Sequence, residues 1–206
     1  MIAIIDYGVG NLFSLKSSFA AIGAEAQVTA DINVIDRASH IILPGVGAFS
    51  DAAAKLRDSG MAQAVIDRAG AGKPLMGICL GMQLLFDKSY EYGEFEGLGL
   101  IEGNIRPISD VIPESFKIPH IGWNSLEFKK NSPLFRYIKN GDYVYFVHSY
   151  YAADCDDSVS AVTDYGAPLT ASVERGNVFG CQFHPEKSGD VGLNILRAFC
   201  EIGVSE

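Results

Sequence analysis

PLMGICLGMQLLF (residues 74–86) runs from an apolar stretch into a helix-like stretch through Gly77-Ile78-Cys79-Leu80-Gly81. Residues 74–78 read as a short buried strand, and Leu80–Phe86 open a helix. Glycine–any–nucleophile–any–glycine between strand and helix is the nucleophile elbow of α/β enzymes, here with sulfur in place of a serine oxygen. Both glycines have a steric reason. The nucleophile sits on a tight, strained turn, where side chains two residues away would strike the neighbouring strand and helix. The turn lifts the thiol above the sheet and sets it at a helix start, where backbone N–H groups favour a thiolate. A lone cysteine in an apolar run reads as packing; the two glycines change that reading for Cys79. Cys155, Cys181 and Cys200 lack such flanks and read as packing or surface.

Outward from the elbow, the preceding residues alternate strand and helix. Residues 2–6 (IAIID) end in the turn Tyr7-Gly8-Val9-Gly10-Asn11. Leu12, Leu15, Phe19 and Ile22 recur at helical spacing, and Gly23 closes that helix. Residues 26–28 and 40–43 are further short strands, and 50–71 read as helical with a break near Gly60. Apolar strands of four to five residues joined by helices predict a central, mostly parallel sheet covered by helices on both faces. The second half differs. Residues 116–128, 142–152, 158–164, 168–174 and 177–183 read as short strands, with a hairpin turn at 174–177 and a last helix over 188–202. These strands are expected to add an antiparallel or mixed portion to the sheet. No linker, repeat or low-complexity segment interrupts the chain, which predicts one domain over residues 1–206.

Composition bounds the function. The chain has 206 residues, 48% hydrophobic and 20% charged, enough for a full core without disulfides. The net charge of −9 and the lack of a basic cluster argue against nucleic-acid binding. No apolar run approaches the ~20 residues of a membrane helix. The start, MIAIIDYGVGN, lacks the marks of a signal peptide and reads as a core strand. The four cysteines have no paired metal-ligand spacing, so reduced thiols in a cytoplasm, with no metal and no cofactor, are expected.

CQFHPE (181–186) ends a strand-like run in His184-Pro185-Glu186. Residues two apart in extended chain point the same way, and Pro185 holds His184 extended. Glu186 can then accept from His184 Nδ1–H, leaving Nε2 for the thiol. Alone, the pair reads equally well as a loop histidine beside a surface glutamate; the elbow tips the reading toward a Cys79–His184–Glu186 triad. PGVGAF (44–49) follows the third strand. Its small residues let the amide of Val46 or Gly47 join that of Leu80 as an oxyanion hole, although the segment also fits a plain turn. A free thiol is only about 3% ionised at pH 7, so full ionisation adds about 30-fold. One oxyanion donor is worth ~100- to 1000-fold. The conformation of residues 45–47 is therefore expected to govern rate more than the resting thiol, with a peptide flip there acting as a switch.

These pieces resemble the class I (triad-type) glutamine amidotransferases, above all GICLGMQLLF with its Gln83 and the late HPEKSG. IIDYGVGNLFSL, LPGVGAF, PHIGWN, YFVHSYY and FHPEKSG, in that order, are similar to the glutaminase subunit of imidazole glycerol phosphate synthase. The resemblance implies that Cys79 attacks the glutamine amide and forms a thioester, while His184 protonates the departing ammonia. It implies a glutamine pocket lined by Gln83, Ser149 and Tyr150. It also implies a separate (β/α)8 cyclase partner, forming a heterodimer. There ammonia yields imidazole glycerol phosphate and an aminoimidazole carboxamide ribotide, in histidine biosynthesis. Asn11, Trp123, Tyr145 and Lys187 are candidates for the partner face; for Trp123 core packing is the other reading. Gly8-Val9-Gly10-Asn11 could cradle a phosphate but reads better as a tight turn. His120 and His148 receive no role.

Three functional classes remain to be separated. A partner-gated glutaminase shows little hydrolysis alone. A stand-alone amidase, or an amidotransferase with another product, works without a partner. A scaffold without turnover would lack a triad residue, and none is missing here.

Overall fold

The computed structural model describes residues 1–203. The first half folds as β1 (Ile2–Ile5), α1 (Leu12–Ala21), β2 (Ala26–Thr29), α2 (Ile32–Arg37), β3 (His40–Leu43), α3 (Phe49–Asp58), α4 (Met61–Gly70), β4 (Leu75–Ile78) and α5 (Leu80–Gln83). The strands pair in parallel in the order β2-β1-β3-β4. Alternate side chains explain the double cover. Ile2, Ile4, Ile42 and Met76 pack on one face with Leu15 and Phe19 of α1. Ala3, Ile5, Ile41 and Leu43 pack on the other with Ile35 of α2, Leu56 of α3 and Val65 of α4. The break between α3 and α4 falls at Gly60, whose φ of 75° suits glycine.

The chain then forms β5 (Phe86–Ser89), β6 (Phe95–Glu96) and β7 (Ile101–Pro107). Next come β8 (His120–Ser125), β9 (Glu127–Phe128), β10 (Tyr143–His148) and β11 (Tyr150–Ala153). Last are β12 (Val159–Asp164), β13 (Pro168–Arg175), β14 (Val178–Cys181) and α6 (Gly189–Cys200). β13 and β14 form the expected hairpin, with Arg175 opposite Val178. β14 also pairs in parallel with β4, Cys181 lying opposite Ile78. The large sheet thus reads β2-β1-β3-β4-β14-β13-β12-β9. A smaller sheet, β11-β7-β5-β6, and a two-stranded ribbon, β10-β8, complete the mixed portion. The α/β class stands as expected.

Several boundaries depart from the sequence reading. The helix expected over 80–86 stops at Gln83. Leu98 and Leu100 donate their N–H groups to the carbonyls of Leu84 and Leu85, which a continuing helix would have kept. Phe86 therefore turns into β5, and β7 beside it was unforeseen because its partner lies elsewhere in the chain. The short helix α2, capped by the Asp31 side chain on Asn33 N–H at 2.9 Å, was also unforeseen. The run 116–128 is strand only from His120, and 142–152 divides at Ser149. Among the described residues no helix is long and apolar enough to cross a membrane.

Candidate active site

The elbow is built as its glycines require. Cys79 has φ 54° and ψ −113°, a strained conformation for a residue with a side chain. A Cβ on Gly77 would lie 2.6 Å from the Gly81 carbonyl oxygen, and one on Gly45 2.6 Å from the Gly81 nitrogen. A Cβ on Gly81 would strike the carbonyl oxygen of Leu43, at the end of β3. Strand end, elbow and the 44–47 segment thus meet backbone to backbone. One expectation is corrected: α5 is a single turn of four residues, too short for a substantial macrodipole.

The parallel pairing of β4 and β14 brings the triad candidates together. Cys79 N–H donates to Cys181 O at 2.8 Å, extending the ladder past the strand ends. The chain reaches His184 just beyond, at the carboxyl edge of the sheet. His184 N–H donates to Tyr145 O at 2.9 Å, and Ser188 Oγ donates to His184 O at 2.6 Å. His184 Nδ1 lies 2.8 Å from Glu186 Oε1, and the two side chains are 4% and 1% exposed. A carboxylate accepts, so Nδ1 carries the proton and Nε2 is left free on the side of the cavity that Cys79 also lines. Burial opposes the charged ring, but hydrogen bonds and charge from Cys79 and Glu186 outweigh it and raise the His184 pKa to about 9.

This shift has a definite sign. The ordinary value is 6.5, and the folded value is about 9. The charged ring therefore stabilises the fold fully below the first value, and that contribution is lost as pH rises through the second. NMR titration of Cys79→Ala is expected to show the His184 pKa falling from about 9, because the strongest raising contact is gone. Denaturant melts should then lose less stability across that pH window than the wild type does.

One cavity of about 500 Å³ gathers Val46, Gly47, Cys79, Leu80, Gln83, Ser149, Tyr150 and His184. Gly47 adopts φ 93°, and the Leu80 N–H, first in its turn, has no intrahelical acceptor. Gln83 is 5% exposed and donates through Nε2 to Tyr150 O at 3.2 Å and Gln182 Oε1 at 2.9 Å. Every cavity residue named at the sequence level is therefore present. Three neighbours escaped that reading. Glu91, among the described residues the one carboxylate lining the cavity, also accepts from Phe49 N–H at 2.6 Å. Burial raises its pKa. Nothing in its local pattern (YEYGEFEG) marked it. Tyr7 donates to Pro44 O at 2.7 Å, anchoring the segment that leads to Gly47. Gln182 contacts Cys79; its position two residues before His184 was the available signal.

The four candidates for a partner face lie outside the cavity. Trp123 on β8 is 52% exposed and stands opposite Tyr145 on β10, their rings 6.1 Å apart. Lys187 Nζ sits 5.9 Å over the Tyr145 ring. Trp123 is thus not a core residue. Asn11 has a local task as the cap of α1, accepting from Ser14 N–H at 3.4 Å. His120 and His148 form a buried pair, Nδ1 to Nε2 at 3.0 Å. Among the described residues no group of three or more His, Cys, Asp or Glu is placed to hold a metal ion.

The family described as glutamine amidotransferase class-I matches residues 3–202. The imidazole glycerol phosphate synthase subunit HisH of Caldanaerobacter subterraneus subsp. tengcongensis is 51% identical over 203 residues, covering 98% of each chain. The HisH subunit of Wolinella succinogenes is 50% identical over 205 residues, covering 98% of this chain and 100% of its own. Among solved structures, PurLQS from Thermotoga maritima superposes with a TM-score of 0.76 at 23% identity, covering 97% of each chain. A further glutamine amidotransferase does so with a TM-score of 0.75 at 20% identity, covering 97% of this chain and 100% of its own. At such identities the structural likeness shows the fold alone. The sequence likeness reaches further, and by it the chain belongs to the class-I glutamine amidotransferases, among the HisH subunits of imidazole glycerol phosphate synthase.

Proposed function

We propose that Cys79 is the nucleophile of a glutamine hydrolysis in which His184 moves the proton and Glu186 holds the ring. The observation that carries this is the Glu186–His184 pair, 2.8 Å apart, with His184 and Cys79 lining one cavity. The sulfur attacks the side-chain amide carbon of glutamine, and the carbonyl oxygen takes the negative charge. The amides of Leu80 and of Val46 or Gly47 stabilise that oxyanion. His184 gives its Nε2 proton to the departing nitrogen, and ammonia leaves a thioester. The ring then takes a proton from water, which attacks the thioester and releases glutamate. Gln83, Ser149 and Tyr150 hold the substrate's polar groups.

Glu91 faces the α-ammonium group, being the one carboxylate that lines the cavity among the described residues. Glu91→Gln is expected to raise the KM for glutamine about 10- to 100-fold, the value of a charge-assisted hydrogen bond, with a smaller change in kcat. Steady-state kinetics measure both.

The ammonia passes to a (β/α)8 cyclase, which converts a ribulosyl phosphate intermediate to imidazole glycerol phosphate and an aminoimidazole carboxamide ribotide. The partner covers the face of Trp123, Tyr145 and Lys187, near the Asn11 turn. An exposed tryptophan beside a tyrosine is the composition of an interface anchor. The backbone bond from His184 to Tyr145 ties that face directly to the triad. The chain acts as one glutaminase domain, because the two larger cores, one on each face of the main sheet, draw on both halves of the sequence. Its setting is the cytoplasm, where all four cysteines stay free.

The test is glutamate release by the chain alone, with the cyclase, and with the cyclase and its ligand. Low activity alone and a large rise in the liganded complex are expected. Full activity without a partner would instead favour a stand-alone amidase.

A further inference from the structure

Gln182 follows β14 and is fully buried, with its backbone N–H bound to Ala171 O at 2.9 Å. The alternation of extended chain turns Cys181 and Phe183 into the core and sends Gln182 and His184 to the other side. The same register that delivers the histidine therefore delivers a carboxamide to the sulfur.

The orientation of both glutamine amides follows from one atom. Tyr150 O is a carbonyl and can only accept, so the Gln83 atom 3.2 Å away is its nitrogen. The Gln182 atom 2.9 Å from that nitrogen is then its oxygen. The Gln182 nitrogen is left on the other side, where it lies 3.7 Å from Cys79 Sγ and donates toward it. Both hydrogens of Gln83 Nε2 are committed, and its Oε1 is the atom available to a bound ligand's donor. His148 Nδ1, 2.8 Å from the same Tyr150 carbonyl, locks that acceptor from behind.

We propose that Gln182 is a positioning residue that ties the Cys79 sulfur to the ligand-facing carboxamide of Gln83. The proposal rests on the glutaminase reading above and adds a member to its site. One end of Gln182 gives an N–H to the sulfur, which favours the anion. The other end holds Gln83 in the rotamer that offers its oxygen to substrate. Nucleophile and binding group are thereby set by one rigid, buried side chain. Of the other titratable groups nearby, His184 beyond β14 lines the cavity with the sulfur, Tyr7 after β1 is tied to Pro44 O, and Cys181 on β14 turns into the core. Burial raises both Tyr7 and Cys181, keeping them neutral through the working range.

The experiment follows alkylation of Cys79 by iodoacetamide across a pH series, read by mass on its peptide, with glutaminase KM measured in the cyclase complex. Gln182→Met keeps volume but removes donor and acceptor. Its alkylation midpoint is expected to rise by about one pH unit, a tenfold loss of thiolate at fixed pH, and its KM to rise severalfold. Gln182→Glu keeps an acceptor for Gln83 and sets a carboxylate against the sulfur. Its midpoint is expected to rise while KM stays within about twofold. A merely structural glutamine would shift melting temperature in both variants and leave the midpoint alone. If the folded variants alkylate with the wild-type profile, the proposal is overturned; should Gln182→Met fail to fold, the Gln182→Glu profile decides. Unlabelled wild-type Cys79 together with an active Cys79→Ala would instead overturn the glutaminase reading itself.

Discussion

Cys79→Ala is expected to reduce ligand-stimulated glutamine hydrolysis by about 10⁴-fold or more, with the fold and the partner complex intact. Nucleophile deletions have effects of this size because the thioester has no substitute; what survives is catalysis by oxyanion donors and binding alone. The fold should tolerate the change for a local reason. Cys79 contributes little packing beyond its sulfur, and alanine can occupy the same backbone, although the φ of 54° remains unfavourable for it. Glutamate release in the complex, read beside a thermal melt, separates the two quantities. A variant that retains substantial turnover would remove the sulfur from the mechanism.

Gly81→Ala is expected to have the largest effect on stability, about 3 kcal/mol or more, with loss of activity in whatever fraction folds. The new methyl would strike the Leu43 carbonyl oxygen, which belongs to backbone in the middle of the parallel sheet. Overpacking against side chains is relieved by rotamer changes at about 1–3 kcal/mol, but a strand end paired to its neighbour has no such freedom. Relief would push α5 away from β3 and carry both Cys79 and Leu80 with it. Gly47→Ala gives the contrast. Nothing lies near its added methyl, so only the φ of 93° works against it. Denaturant melts of the two variants should therefore differ, with Gly81→Ala much the weaker; equal stabilities would contradict the steric reading of the elbow.

The sequence carried what is local. Four-residue apolar strands, helical spacing and helix-ending glycines marked β1, β3, β4, α1, α3 and α4, because each signal lies within a few residues of what it specifies. The elbow was legible from its local pattern, although only Gly77 answers a contact within the turn; Gly81 answers the backbone of Leu43 and Pro44. His184 and Glu186 were legible as a pair through Pro185, but the 2.8 Å contact between them is made across the 3-10 turn Pro185–Lys187, not along the extended chain that the spacing suggested. Glu91, Tyr7 and Gln182 were not legible as site members. Glu91 and Tyr7 come from separate elements and have no neighbour in sequence that records the meeting, while Gln182 had one unused signal, its place two residues before His184.

By itself, then, the chain's order of residues determined the α/β class, the strained turn that carries Cys79 and the histidine–glutamate pair. Only the tertiary structure decided that β14 enters the sheet beside β4, with Cys181 against Ile78. That pairing brings together residues over a hundred positions apart and joins thiol and imidazole in one space, just as the 98–100 segment, by taking the Leu84 and Leu85 carbonyls, ends α5 early. The physical reason is the same throughout. Backbone conformation and turn sterics act between neighbours in the chain, whereas hydrogen-bond partners, burial and the pKa of a histidine depend on what the folded chain places alongside.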